Sequence, residues 1–271
     1  MEKRSIALLL LLVLLTGCGA KTEEAPWQTA YRETGKYLQE QDTLSAGSVG
    51  GEWAVIGLSR TGLLSDETAQ SYEQTVEDYV KQAGSVRLHH AKSTENSRAI
   101  LGLTAAGYNA ANMAGVDLTA GLTDMAYLRA QGTNGPIWAL IALDCHGYDI
   151  PQCADGEEQT TREGLVAEIL SYQCSDGGWA LMGDESDVDM TAMALTSLAP
   201  YQEETDVKAA VDAALTYLSD AQQADGGFRH SDEQMESDGM ATEQGFYALA
   251  AYDRFRQGQT RLFDMTDIEV K

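Results

Sequence analysis

The sequence predicts an all-α fold built from tandem helical hairpins, and three observations carry that expectation. Stripes of small and aliphatic residues recur along the chain, closing at Leu58, Leu103, Leu143, Leu198 and Leu249 with spacings of 40 to 55 residues. A period of this size marks stacked supersecondary units. Charged amphipathic stretches alternate with the stripes. Only 4 prolines occur in 271 residues, none of them inside a stripe, and no segment sustains the period-two alternation of a strand.

The elements follow in order. A first helix is expected over residues 27–41, and the stripes then begin at Trp53, Arg98, Trp138, Thr191 and Gln244. Small residues beside leucine let helices approach closely, so the stripes are expected as inner, packed helices. Between them, Glu67–Ala83, Thr119–Ala130, Thr160–Gln173 and Thr205–Gln222 are expected as outer helices with charged faces. In the last of these, Val207, Val211, Ala214, Leu215 and Leu218 recur at helical spacing. Asp206 stands near its start, where a carboxylate suits the helix dipole. The count is ten helices in five hairpins, separated by glycine-rich breaks. The final Thr260–Lys271 reads as the start of a linker or as a docked tail.

Two of the breaks share a pattern. Gln173 leads into Asp176-Gly177-Gly178-Trp179, and Gln222 leads into Asp225-Gly226-Gly227-Phe228. The glutamine ends a helix, the glycines turn the chain, and the ring can return onto the helix. These segments resemble the Gln-Trp repeats of the squalene/hopene cyclase and protein prenyltransferase superfamily. The resemblance implies an α/α toroid over residues 27–257, with inner and outer rings of helices round a central cavity and a C-terminal tail over 258–271. Within that superfamily the chain looks most like lipid-anchored bacterial proteins with prenyltransferase/squalene-oxidase repeats. Five hairpins fall short of the six of a full ring, which leaves the barrel open, small, or completed by terminal segments.

The N-terminus carries Lys3 and Arg4, then an apolar run from Ile6 to Leu15. Ten residues are too few for a bilayer-spanning helix, which needs about 20, and they fit the h-region of a secretory signal. Leu15-Thr16-Gly17-Cys18 resembles a bacterial lipobox. That implies a signal peptide over 1–17, lipidation of Cys18, a tether over 18–26, and a domain anchored by acyl chains at the extracytoplasmic face of a bacterial cell membrane. The formal net charge of −24 repels nucleic acid and disfavours a strongly anionic substrate such as a diphosphate. Cys145, Cys153 and Cys174 remain after Cys18. Cys145 and Cys153 could close one short disulfide, while Asp144-Cys145-His146 matches no compact zinc pattern. No cofactor and no metal site is implied.

Catalytic chemistry centres on Asp187-Val188-Asp189-Met190. The resemblance sets it beside the Asp-x-Asp-Asp motif of class II terpene cyclases, whose middle aspartate protonates an alkene or epoxide. Asp189 matches that position, and Met190 replaces the final aspartate. A helix N-terminus favours the ionised carboxylate, whereas neighbouring acids and burial oppose ionisation. The alternative is structural, with Ser186 or Asp187 as an N-cap. Trp53, Trp138, Trp179, Phe228 and Tyr247 are the expected cavity-lining rings, since aromatic faces stabilise cations. Two functions stay open: a lipoprotein toroid that binds a small hydrophobic ligand or a surface protein, and a terpene cyclase with Asp189 as general acid.

Overall fold

The computed structural model describes residues 36, 38–40, 44–47 and 49–271. The expected signal peptide 1–17, the tether 18–26 with Cys18, and most of the expected helix 27–41 lie outside the described residues. Nine α-helices are present among the described residues, with short 3-10 turns and isolated bridges but no strand. No described helix is long and apolar enough to cross a membrane.

Five helices form the inner wall: α1 (Val49–Arg60), α3 (Thr94–Ala105), α5 (Asn134–Asp144), α7 (Val188–Leu198) and α9 (Gly239–Arg256). Each packs on the next in the order α1, α3, α5, α7, α9. They are the stripes of the sequence. In α5 every residue from Gly135 to Asp144 is buried, and in α7 all but Met193 are. Four helices lie outside: α2 (Asp66–Ala83), α4 (Met125–Arg129), α6 (Arg162–Ser171) and α8 (Thr205–Ala221). Their apolar positions face the wall and their charges face water. In α8 those positions are Val207, Ala210, Val211, Ala214, Leu218 and Ala221.

One expected outer helix, Thr119–Ala130, is divided into a 3-10 turn at Leu118–Leu122 and the short α4. Two side chains impose the break. Asn96 of α3 reaches across to the carbonyls of Val86 and Leu118 and leaves no room for a Cβ at Gly121. Asp124 then restarts the chain as an N-cap, accepting from Ala126 N at 3.1 Å.

The two Asp-Gly-Gly turns are built alike, atom for atom. Gly178 N donates to Asp176 Oδ1 at 3.0 Å, and Gly227 N to Asp225 Oδ1 at 2.9 Å. Trp179 N donates to Thr191 Oγ1, and Phe228 N to Thr242 Oγ1, both at 2.9 Å. Gln173 and Gln222 donate side-chain N–H bonds to the carbonyls of Gly177 and Gly226. The first glycine of each pair has φ near +90°. The second sits where a Cβ would meet the serine before the next helix, Ser186 or Ser237, at less than 3 Å. The turn thus stitches the end of an outer helix to the first turn of the next inner helix.

The tail is docked. Met265 is buried, and its N–H donates to the carbonyl of Cys145 at 2.7 Å. His146 Nδ1 lies 3.0 Å from the Met265 carbonyl. Arg60 at the end of α1 bonds Asp267 at 2.7 Å, and Lys271 N donates to Gly107 O beyond α3 at 2.9 Å. The tail thus touches the C-terminal ends of α1, α3 and α5, so these inner helices run parallel and share one end. It also spans the gap between the first and last inner helices. The Phe263 ring lies 6.4 Å from both Trp53 of α1 and Tyr247 of α9.

Cys145, Cys153 and Cys174 are free thiols, so the short disulfide is absent among the described residues. The Asp144-Cys145-His146 trio points apart. Asp144 takes Arg162 at 2.7 Å and the Tyr201 hydroxyl at 2.7 Å, His146 turns to the tail, and Cys145 is buried beside Thr104.

Tyr72 of α2 is fully buried against Gly102 of α3, and its hydroxyl has no partner. A Cβ at Gly102 would lie 2.2 Å from that oxygen. Gly102→Ala is predicted to destabilise the fold by about 1–3 kcal/mol, the usual cost of overpacking. Tyr72→Phe, which removes an unsatisfied oxygen, is near neutral or stabilising. The double variant recovers part of the loss, and urea unfolding of all four proteins measures the coupling.

Candidate functional site

The N-terminal end of α7 and the loop that precedes α9 carry the one cluster of metal-ligating side chains found among the described residues. Asp187, Asp189 and His230 each offer a ligand atom within 4.8 Å of the others. Asp187 is the N-cap of α7, its Oδ1 accepting from Met190 N at 2.7 Å. That role follows from its place after the second strand-like contact of the turn, where Asp187 N donates to Trp179 O at 3.0 Å. Asp189 is in the first turn of α7. Met193 and Thr196 stand on the same face of the helix, at helical spacing from Asp189, and line the space at the ring's centre.

Asp189 is buried, and one of its oxygens, Oδ2, bonds His230 Nδ1. The other, Oδ1, is out of contact with solvent and has no hydrogen-bond partner. Burial pushes the Asp189 carboxyl above its usual range, His230 pulls it back, and Asp238 adds to the rise. Burial likewise raises Asp187, with the Met190 N–H opposing and the Asp189 charge adding. Desolvation is the largest influence at both acids. His230 is held through its backbone, its carbonyl accepting from Val188 N at 2.9 Å. Its side chain is 42% exposed, so Asp189 meets solvent through the imidazole.

The sequence did single out Asp187 and Asp189, and the structure brings them together with a residue that sequence reasoning missed. His230 comes from the loop after Phe228. The corresponding loop of the first repeat runs from Ala180 to Ser186, whereas Arg229 to Ser237 is two residues longer. The repeat offset of Asp176 to Asp225 differs from that of Asp187 to Asp238 by this insertion. A length difference between otherwise matched turns was the available signal.

The five rings expected to line a cavity divide into two groups. The Trp53 and Trp138 rings lie 5.3 Å apart, tilted by 52°, near the axis, and Phe263 of the tail packs on both, at 6.4 and 6.1 Å. Tyr247 joins them from α9. Trp179 and Phe228 do not line the cavity; they are buried in the body of the ring. Trp179 donates its indole N–H to Ile169 O of α6 at 2.7 Å, and Phe228 packs against Gly245. Each is the aromatic that the Gly-Gly turn folds back onto its own repeat. The space left at the centre, between Trp138, Ile141, Met193, Thr196, Gln244, Tyr247 and Phe263, is too small to admit a free water.

Chemically, the cluster is a carboxylate–imidazole pair with a second carboxylate beside it. It can accept a hydrogen bond, hold one proton between Asp189 and His230, or ligate a cation through mixed oxygen and nitrogen donors of the kind that suit zinc and manganese. A family model for the prenyltransferase alpha-alpha toroid domain matches residues 50–267, and the chain belongs to that family. The match runs into the docked tail. No curated protein and no solved structure matches the chain.

A carboxyl raised in the folded state gives its full stability below the unfolded-state range and loses it as pH rises through the folded value. Asp189→Asn keeps an acceptor for the imidazole and removes the buried charge. Its melting temperature is predicted to equal or exceed that of the wild type at pH 7, with the difference closing towards about pH 3.5, where model carboxyls are protonated. Thermal unfolding of both proteins across that range checks it.

Proposed function

We propose that the chain is a membrane-anchored extracytoplasmic lipoprotein whose toroid captures a ligand at the rim where α7 and α9 begin. The observation that supports this reading is the Asp189 carboxylate: buried, raised by desolvation, and half unsatisfied. An unsatisfied buried acceptor costs about 1–3 kcal/mol, which a role in folding alone does not explain. With Nδ1 on Asp189, the imidazole of His230 keeps Nε2 for a ligand, and the half-buried Asp187 adds a carboxylate. In a chain of net charge −24 this combination favours a small molecule or partner segment that donates hydrogen bonds, such as an amine or amide. The anchor rests on the lipobox-like Leu15-Thr16-Gly17-Cys18.

A second reading, a class II terpene cyclase with Asp189 as general acid, is favoured by the raised carboxyl. The space at the ring's centre weighs against it, because it is too small for a free water, whereas ordinary ligand sites hold ~300–1,000 Å³. Native mass spectrometry of protein taken from cells is predicted to show a retained ligand that is lost in Asp189→Asn and His230→Ala. An empty monomer under every growth condition overturns the binding reading. Conversion of squalene or a C20 polyprenyl substrate by wild type but not Asp189→Asn establishes the cyclase instead. Cys18→Ser is predicted to move the protein from the membrane fraction to the soluble one.

A further inference from the structure

Seven large apolar side chains are exposed among the described residues, and four of them, Leu181, Met182, Met235 and Met240, stand at the rim. Met182 is 71% exposed, Met235 84% and Met240 64%. Scattered exposed apolar residues need no explanation, but these share one end of the ring. Thr133 N at the start of α5 donates to Leu181 O at 3.3 Å, and Val188 N of α7 donates to His230 O at 2.9 Å. The loops before α7 and α9 therefore lie side by side over the N-terminal ends of three inner helices. They are acidic as well as apolar. Over 173–189 and 222–240, ten aspartates and glutamates stand against one arginine, Arg229. That arginine is already paired with Asp232 at 2.6 Å.

Two unpartnered atoms separate this surface from an ordinary solvated acidic face. Asp189 is only 9% exposed, and its Oδ1 is buried with no hydrogen-bond partner. It sits within 4.8 Å of ligand atoms on Asp187 and His230. Next to His230 in the chain, Arg229 Nε is also buried and without a partner. The rim thus leaves one acceptor and one donor open. A polypeptide can satisfy both together, with a basic side chain for the carboxylate and a main-chain carbonyl for the guanidinium.

We infer that the rim is a docking face for a cationic segment of another protein in which basic residues are flanked by apolar ones. The inference rests on the reading of the rim as a capture site and names its occupant. A lysine or arginine head takes the carboxylates of Asp187 and Asp189, and the half-exposed His230 ring turns aside from Oδ1. The segment's apolar side chains cover Met182, which lies against Gly132 ahead of α5, and Met235 and Met240 on the α9 side. Methionine suits this role because its flexible thioether adapts to different partners. A charge-assisted bond to a desolvated carboxylate is roughly twice as strong as a neutral one. The exposed acids of the loops, Asp184, Glu185, Asp232 and Glu233, steer the encounter more than they hold the complex. A simple amine matches the charge and leaves the methionines uncovered.

The test uses the full chain, freed of lipid by Cys18→Ser, and a fluorescently labelled peptide of lysine and leucine at amphipathic helical spacing. One peptide is predicted to bind per chain, and a lysine–serine peptide of equal charge to bind about tenfold more weakly. Asp187→Asn combined with Asp189→Asn, in which asparagine keeps the helix cap, weakens binding about tenfold or more. Met182→Ser combined with Met240→Ser, both at exposed positions, weakens it about fivefold. Glu67→Gln combined with Asp78→Asn removes the same charge from exposed positions of α2 and changes binding by less than about twofold. An equal loss in the α2 pair makes the binding a general field effect and overturns the inference. So does equal binding of the lysine–serine peptide, unchanged binding in the folded methionine pair, or binding that a chelator abolishes. A retained ligand that depends on Asp189 and that the peptide does not displace overturns the inference and leaves the capture reading standing. An empty rim in protein from cells, with peptide binding intact in the Asp187→Asn, Asp189→Asn protein, ends both.

Discussion

The contact on which the ring depends is the aromatic group at its axis, where Trp53 of α1, Trp138 of α5, Tyr247 of α9 and Phe263 of the tail meet. Inner helices rich in alanine, glycine and leucine pack tightly side by side, but five parallel rods leave a hollow between them. Protein interiors do not keep such voids. Small side chains in the wall need large ones at the centre, and the four rings supply that volume. They also join elements far apart in sequence, because α1 and α9 are the two ends of the wall. The tail adds Phe263 between them, 6.4 Å from a ring of each end helix.

Around this centre the turns before α7 and α9 fix the start of those two inner helices. Both Asp-Gly-Gly turns fix the first turn of the following helix by a threonine hydroxyl on the aromatic's own N–H and by an aspartate cap. The position after the cap then differs in chemistry. In α7 it leads to Asp189, buried and facing the imidazole; at the matching place in α9 stands Met240, 64% exposed. One scaffold therefore presents a buried acid in one repeat and an apolar side chain to solvent in the other. The candidate site is a local departure from a repeated frame. It rests on Asp189 where the other repeat has Met240, and on a loop two residues longer before α9.

The inner wall was legible because its composition is repeated and unlike its surroundings, and the outer helices α2, α6 and α8 because their periodicity is. The cap at Asp187 was legible for the same local reason. Three features were not. The break of Thr119–Ala130 is imposed by Asn96, a side chain from another helix, which no window of local sequence contains. His230 reaches Asp189 from 41 residues away. Trp179, Phe228 and Tyr247 look equivalent in sequence, yet only Tyr247 reaches the axis, because the Gly-Gly turn folds its own aromatic back into its repeat, Trp179 onto Ile169 of α6 and Phe228 onto Gly245 of α9. The tail's docking rests on Met265 and Phe263, single apolar residues in a polar stretch without periodicity.

The central claim is that the axis is filled by rings from both ends of the wall and from the tail. Nuclear Overhauser contacts between tryptophan and phenylalanine rings, in protein labelled at those residues, test it most directly. The account predicts cross-peaks from Phe263 to both Trp53 and Trp138, with Phe263 shifted away from random-coil values. A Phe263 ring at random-coil shifts, with no contact to either indole in a folded protein, contradicts it.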